Sequence, residues 1–313
     1  MKSFYKLSLL CVMGLNLILP TTTVHAAERE LTLAMTKGGG NYTLGLSLAK
    51  TVGVIPIPHS GTTFYIPKVN DGVMDFGLSN PSQLYWAYNG MEMFDKAYTN
   101  LRFVANLVEF RPVLMVRNNS DFKTINDLRG ARIPSEFRGS PLFKKNYTDL
   151  LANGGLTWDD VKPTPVATFK DSVNAFENNR VDVFKGTLGG ANNRRLNATL
   201  RGGLRMLCLN KDDGEYSKEW PGQYLRSYSP DPSNPTVRSK DCIGIAYRYT
   251  VWANKDVSND VVRDLVLKLY NGHTVFKAAS SLTNGFNRDN MAEYDRIPTH
   301  AGAIDAYKSL KLR

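Results

Sequence analysis

Short β-prone apolar runs alternate with amphipathic helical stretches along most of this 313-residue chain, and that rhythm restricts the fold more than any other feature. Leu31-Thr32-Leu33-Ala34-Met35 reads as a buried strand, and a Gly-rich turn leads from it to a helix from about Asn41 to Thr51. Val54 to Pro58 is a short strand interrupted by prolines, Gly61-Thr62 opens another helix, and Asp75 to Leu78 is the next strand. Pro81 fits the first turn of a helix running to Tyr88. Further on, Ala131-Arg132-Ile133 and Val181 to Phe184 read as strands, and Ser140 opens a helix to Asn153. Thr168 and Asp171 make a capping-box pattern for a helix ending near Asn178. Strand–helix alternation of this kind predicts an α/β fold with helices covering a largely parallel sheet.

Two longer strands interrupt the rhythm, one at Arg111 to Arg117 and one at Gly244 to Ala253. The second has Ile245, Tyr247, Tyr249 and Val251 on one face and Ala246, Arg248, Thr250 and Trp252 on the other. There is also an internal echo: Asp71-Gly72-Val73-Met74-Asp75-Phe76 resembles Asn178-Asn179-Arg180-Val181-Asp182-Val183. Each closes a helix, turns and enters a strand at an Asp. The simplest architecture is two α/β lobes joined by two crossing strands, with the chain returning to the first lobe. On this reading residues 27–112 and 248–313 form one lobe and 113–247 the other. The return carries a capped helix from Ser258 to Asn271, ended by Gly272, and the last helix spans about Ala301 to Lys311. Pro221 to Lys240, rich in Pro, Ser and Tyr, reads as a long loop.

Residues 1–26 read as a cleavable secretory signal. Lys2 and Lys6 precede an apolar run from Leu7 to Leu19, and Val24-His25-Ala26 offers a cleavage site before Ala27. The expected location is therefore the periplasm, which disfavours ATP- or NAD-dependent chemistry. The formal charge of +10 is spread without a Lys/Arg block longer than two residues, so a nucleic-acid partner is not expected and an anionic ligand is. Cys208 and Cys242 can pair in an oxidising compartment, although spacing alone does not bring them together. His59, His273 and His300 each stand more than four residues from another His or a Cys, so no metal site and no cofactor are expected.

Candidate chemistry concentrates in three Gly-containing helix starts. Lys37-Gly38-Gly39-Gly40-Asn41-Tyr42 lies between a strand and a helix, where it serves either as a tight turn or as a cradle of free amides for a carboxylate. A dinucleotide fingerprint is excluded because Thr43 stands where its last glycine belongs. Gly61-Thr62 and Gly139-Ser140 repeat the arrangement. Arg111, at the first crossing strand, and Arg138, just before Gly139, are candidate carboxylate clamps, and Lys185 is a third cation at a strand end. No nucleophile elbow and no His-Glu-x-x-His occurs, so an enzyme is not expected.

These residues resemble the TAXI-type solute receptors of tripartite ATP-independent periplasmic (TRAP) transporters. The family's Gly-Gly-x-Tyr-Tyr-Pro-x-Gly start is similar to Gly38-Gly39-Gly40-Asn41-Tyr42-Thr43-Leu44-Gly45, and its Gly-Ser helix start falls on Gly61-Thr62. Its Gly-Glu-x-Asp falls on Gly72-Val73-Met74-Asp75, and its following Gln on Asn80. Ala87-Tyr88-Asn89-Gly90, Leu128-Arg129-Gly130 and Pro298-Thr299-His300-Ala301-Gly302-Ala303-Ile304 also fit. The likeness runs over nearly the whole mature chain and is weakest from about Gly214 to Lys240. It implies a type II periplasmic-binding fold with two crossing hinge strands, which holds a ligand of the glutamate, glutamine or 2-oxoglutarate class between its lobes. It also implies delivery of that ligand to a membrane permease.

The chain departs from the pattern at Asn41, at Asn80 and at Glu136-Phe137-Arg138, where the family is small and Gly-rich. The added cationic groups favour a dianion over a zwitterion. The expected site draws Gly40, Asn41, Tyr42, Gly61, Thr62 and Asn80 from one lobe and Arg138, Gly139, Ser140 and Thr187 from the other, with Arg111 near the hinge. A monomer is expected. An ABC-type binding protein or sensor input domain is the alternative on the same fold, and a secreted enzyme the alternative in another class.

Overall fold

A computed structural model describes residues 29–210, 219–232, 234–294 and 296–312; the expected signal segment lies outside them. The first half opens with β1 (Thr32–Thr36), α1 (Gly39–Val52), β2 (Ile55–His59), α2 (Thr62–Asn70), β3 (Phe76–Ser79) and α3 (Pro81–Asn89). β1 pairs in parallel with both β2 and β3, which strand–helix–strand crossovers allow. Then comes β4 (Leu101–Phe110), and after Arg111 the chain continues directly as β5 (Pro112–Arg117). β6 (Arg132–Glu136), α4 (Pro141–Asn153), β7 (Lys162–Val166), α5 (Phe169–Glu177), β8 (Val183–Thr187), α6 (Ala191–Thr199) and β9 (Leu204–Leu207) follow. β10 (Gln223–Tyr228), β11 (Cys242–Asn254), α7 (Asn259–Asn271), α8 (His273–Ala278) and α9 (Ala301–Leu310) complete the molecule.

Two main sheets result. One runs β10-β11-β3-β1-β2, with β4 also pairing β11; the other runs β8-β5-β9, and β6 and β7 form a parallel pair. That pair meets β8 where Asp182 N donates to the Arg132 carbonyl at 2.9 Å. The chain crosses from the first sheet to the second at Phe110-Arg111-Pro112. The sheets are mixed rather than largely parallel. The crossing strands set this, because β11 runs antiparallel to β3, β4 and β10, and β5 runs antiparallel to β8 and β9. The expected loop over Pro221 to Lys240 contains a strand, β10. It alternates Tyr224, Arg226 and Tyr228 against Gln223, Leu225 and Ser227 at a sheet edge, so it lacks the apolar run that marks an interior strand.

The sequence echo has a shared physical basis. Gly72 (φ 72°) and Asn179 (φ 54°) take the same left-handed turn after α2 and α5. The amides of Val73 and Arg180 then reach back to the carbonyls of Lys68 and Ala175. Asp75 accepts from Thr32 N at 2.9 Å, and Asp182 accepts from Arg132 N at 2.7 Å. Each Asp therefore satisfies the first amide of the neighbouring strand, β1 or β6.

The core is continuous from one sheet to the other and includes fully buried Leu33, Leu78, Phe103, Met115, Ile133, Phe184 and Trp252. Gly77 makes room for Trp252, since a Cβ there would lie 2.1 Å from the indole. Cys208, just after β9, and Cys242, at the start of β11, form a disulfide with Cα atoms 5.0 Å apart. The bridge is reinforced by Leu209 N donating to the Ile243 carbonyl at 2.8 Å. No helix among the described residues is long and apolar enough to cross a membrane.

Candidate functional site

Between the two sheets lies a cavity of about 330 Å³. Its wall is built at strand ends: Thr36 closes β1, Asn80 follows β3, and Lys185, Gly186 and Thr187 end β8. Helix starts supply the next layer through Lys37 to Asn41, Ser60 and Thr62, Ser140, Leu142 and Phe143, and Thr168 to Lys170. The crossing region adds Phe110, Pro112, Tyr247 and Tyr249. In an α/β fold the carboxyl ends of strands are where ligands sit, because loops there are free to vary while the sheet stays rigid.

The charge of this wall is one-sided. Lys37, Lys170 and Lys185 line it, and no Asp or Glu does. Burial strips water from the Lys185 ammonium and depresses its pKa to about 7, with partial opposition from the Asp149 carboxylate. Tyr147 fixes the strand at this point by accepting from Lys185 N at 2.8 Å.

The helix starts around the cavity differ in their capping. α1, α2 and α4 start at Gly38, Gly61 and Ser140 without a side-chain cap. α3 is capped by Asn80, whose amide accepts from Gln83 N at 2.9 Å, and α5 by the Thr168–Asp171 capping box. The starts of α1 and α4 and Thr62 of α2 belong to the lining, so three helix starts without a side-chain cap lie at or beside the cavity, together with the capped starts of α3 and α5. Such a start carries a partial positive charge that favours an anion.

Two hydroxyls are set as donors by the framework. The Asn41 side-chain oxygen accepts from Thr36 N at 2.8 Å, and its NH₂ donates to the Leu78 carbonyl and to Tyr249 Oη, both at 2.9 Å. Gln83 Nε2 donates to Thr62 Oγ1, while its oxygen accepts from Asn80 at 2.9 Å. Tyr249 and Thr62 thus each receive a hydrogen bond. Neither hydroxyl has a protein acceptor among the described residues, so each keeps a proton to give to a ligand.

Gly40, Asn41, Thr62, Asn80, Ser140 and Thr187 come together around the cavity, as does Lys185. The amides of Asn41 and Asn80 are occupied by protein partners, so those side chains position their neighbours instead of pointing free groups at a ligand. Tyr42, Gly61, Arg111, Arg138 and Gly139 stand outside the lining. Gly61 and Gly139 meet each other beside it: a Cβ on Gly61 would lie 2.7 Å from the Gly139 carbonyl oxygen. Arg111 lies against Gly189, and its carbonyl accepts from Leu188 N.

Arg138 is 85% exposed and donates to Glu136 at 2.9 Å, so it does not reach the cavity. Left-handed backbone at Glu136 and Phe137 buries the Phe137 ring and sends Arg138 outward. Arg138, one of the added cationic groups expected to favour a dianion, therefore lends no charge to the lining. Sequence reading did not single out Lys170, Gln83, Phe110, Phe143 and Phe169 as site residues. Tyr247 and Tyr249 were legible as one face of a strand, but alternation does not say what a face looks at.

Several solved proteins share this architecture at low sequence identity. MatC from Rhodopseudomonas palustris with bound malate matches with a TM-score of 0.57 and 13% identity, over 90% of this chain and 96% of that one. The periplasmic binding protein BugD matches at 0.56 and 14%, over 91% and 95%. A Bordetella bronchiseptica RB50 protein matches at 0.55 and 15%, over 90% and 98%. At these identities the likeness concerns the fold, which is the two-lobed α/β fold of periplasmic binding proteins. The profile of the NMT1-like family spans residues 34–309, from β1 into α9 and hence every cavity-lining residue, and the chain belongs to that family.

Proposed function

We propose that this protein is a periplasmic receptor that captures a small organic anion, a carboxylate, between its lobes and delivers it to a TRAP-type membrane permease. The observation that carries this reading is a cavity with three lysines, three open helix starts at or beside its wall, and no lining carboxylate. The lobes are residues 27–112 with 248–313, and 113–247; export uses the signal at 1–26. The TAXI-type motifs around Gly38 to Gly45 and Pro298 to Ile304 support the permease assignment. No His, Cys, Asp or Glu lines the cavity, which supports binding rather than turnover. Gly40, Thr62, Ser140, Thr187, Lys185 and Tyr249 provide the anion contacts. Closure excludes water, and charge-assisted bonds strengthen as the local dielectric falls. Ligand thereby shifts the lobes toward the shape that the permease recognises.

Native mass spectrometry of the purified protein, followed by calorimetry with the identified anion, tests this. The Lys185 amine titrates near pH 7 in the empty site, and a bound anion favours its charged form. Binding above pH 7 therefore takes up a proton, and affinity falls by up to about tenfold per pH unit until the pKa of the bound state is passed. Lys185→Met weakens binding at least tenfold at pH 7 and flattens that dependence. An anion bound equally well by Lys185→Met, or no anion bound at all, overturns the reading.

A further inference from the structure

The geometry points to an aromatic monocarboxylate, a flat ring carrying one anionic head, as the ligand of this cavity; the inference rests on the receptor reading above. Aromatic rings approach the space from two sides. On the crossing strands, Phe110 contacts Tyr247 and Tyr249 at ring-centroid distances of 5.6 and 5.4 Å. On the other side four rings form a column. Tyr147 stacks on Phe137 at 5.6 Å, Phe137 on Phe143 at 5.4 Å, and Phe143 on Phe169 at 5.3 Å, with interplanar angles of 14°, 28° and 26°. The last two rings of that column line the cavity.

The glycine turn holds the two groups near each other. A Cβ on Gly39 would lie 3.5 Å from the Phe169 ring, and one on Gly40 would lie 2.4 Å from the Phe110 ring. Adjacent Cα atoms are about 3.8 Å apart, so Phe110 and Phe169 flank one short stretch of backbone. Aromatic pairs prefer centroid separations of roughly 4.5–7 Å, a spacing the column repeats and a ligand ring would extend.

Polar donors and aromatic rings share the lining. Lys37 and the α1 start, Thr62, Ser140 and Lys185 can surround one carboxylate. Pro112, Leu142 and the five lining rings give the wall an extended apolar face, beside polar lining that also includes Gln83, Asn146, Lys170, Thr187 and Gln223. A four- or five-carbon diacid has little apolar surface to set against that face. An arylalkanoate buries its ring there and keeps its only charge at the donors.

Calorimetry with phenylpyruvate and phenylacetate, against 2-oxoglutarate and glutamate, tests the assignment. The expected result is at least tenfold tighter binding of an aromatic acid. Phe169→Leu, at a half-buried position, should weaken that binding at least tenfold while circular dichroism and melting stay those of the parent. Diacid binding as tight as that of the aromatic acids, weakened by Lys185→Met, overturns the aromatic assignment and leaves the receptor reading standing. Aromatic acids bound as tightly by Phe169→Leu as by the parent also overturn it. If all four acids and the retained-ligand search fail, the receptor reading itself falls, and this inference with it.

Discussion

Glu136 and Phe137 occupy left-handed backbone, at φ 66° and 47°, a region that costs an L-residue about 1–2 kcal/mol. Phe137 repays that strain with a fully buried ring in the aromatic column. Glu136 has only an exposed ion pair with Arg138, which contributes little. Glu136→Gly is therefore expected to raise stability by about 0.5–1 kcal/mol, after subtracting the extra freedom glycine has in the unfolded chain. A denaturant midpoint that stays put or falls would show the position to be unstrained. The sequence reading located this departure from the family's glycines without its meaning, because φ is not written in a side chain. Asn41 poses the same difficulty. Its place beside the glycine turn was legible, but not that its amide is consumed by Thr36, Leu78 and Tyr249, one of which lies more than two hundred residues away.

Among elements, local signals translated well and distant ones did not. The Thr168–Asp171 box and the Ser258 cap appear where expected because all their partners lie within one helical turn. β4 escaped notice because Leu101 to Phe110 is buried on both sides and so lacks the period of two that marks a half-exposed strand. β7, with prolines at 163 and 165, pairs only with β6 and is tolerated as an edge. The three open helix starts were legible singly, but their convergence follows from sheet geometry. That convergence is tightest at Gly61, whose φ of −169° suits any residue while its missing Cβ admits the Gly139 carbonyl. Gly61→Ala should therefore fold and melt like the parent yet bind the anion about tenfold more weakly, because the start of α2 must move away from the Gly139–Ser140 turn. Unchanged affinity by calorimetry would mean that this close approach plays no part in closure.

For the whole molecule, the question is what holds the two sides of the cavity together. Beyond the crossing strands, polar contacts such as Arg194 to Ser281 do so, and one group of them centres on Lys145. Lys145 on α4 is 17% exposed and reaches Glu92 at 3.3 Å, Asp149 at 3.2 Å and Glu219 at 3.7 Å. Its ammonium lies over the rings of Trp86, on α3, and Trp220, at 5.6 and 5.5 Å, and Trp220 donates to Asp149 at 2.8 Å. Burial alone would depress the Lys145 pKa, but Asp149 and Glu92 raise it above the ordinary lysine value. The Asp149 carboxyl is pushed up by burial, against the pull of Lys145 and the Trp220 N–H. Lys145→Met leaves that carboxylate half-buried without its cation, a loss of about 2 kcal/mol once partial exposure is allowed for. In the variant the folded-state pKa of Asp149 rises further above its unfolded value, so protonation stabilises the fold as pH drops toward that raised pKa. Urea melts should accordingly show a large deficit at pH 8 that shrinks at pH 5, and Asp149→Asn added to Lys145→Met should restore part of it at pH 8. A deficit independent of pH would assign Lys145 to packing between the tryptophans instead.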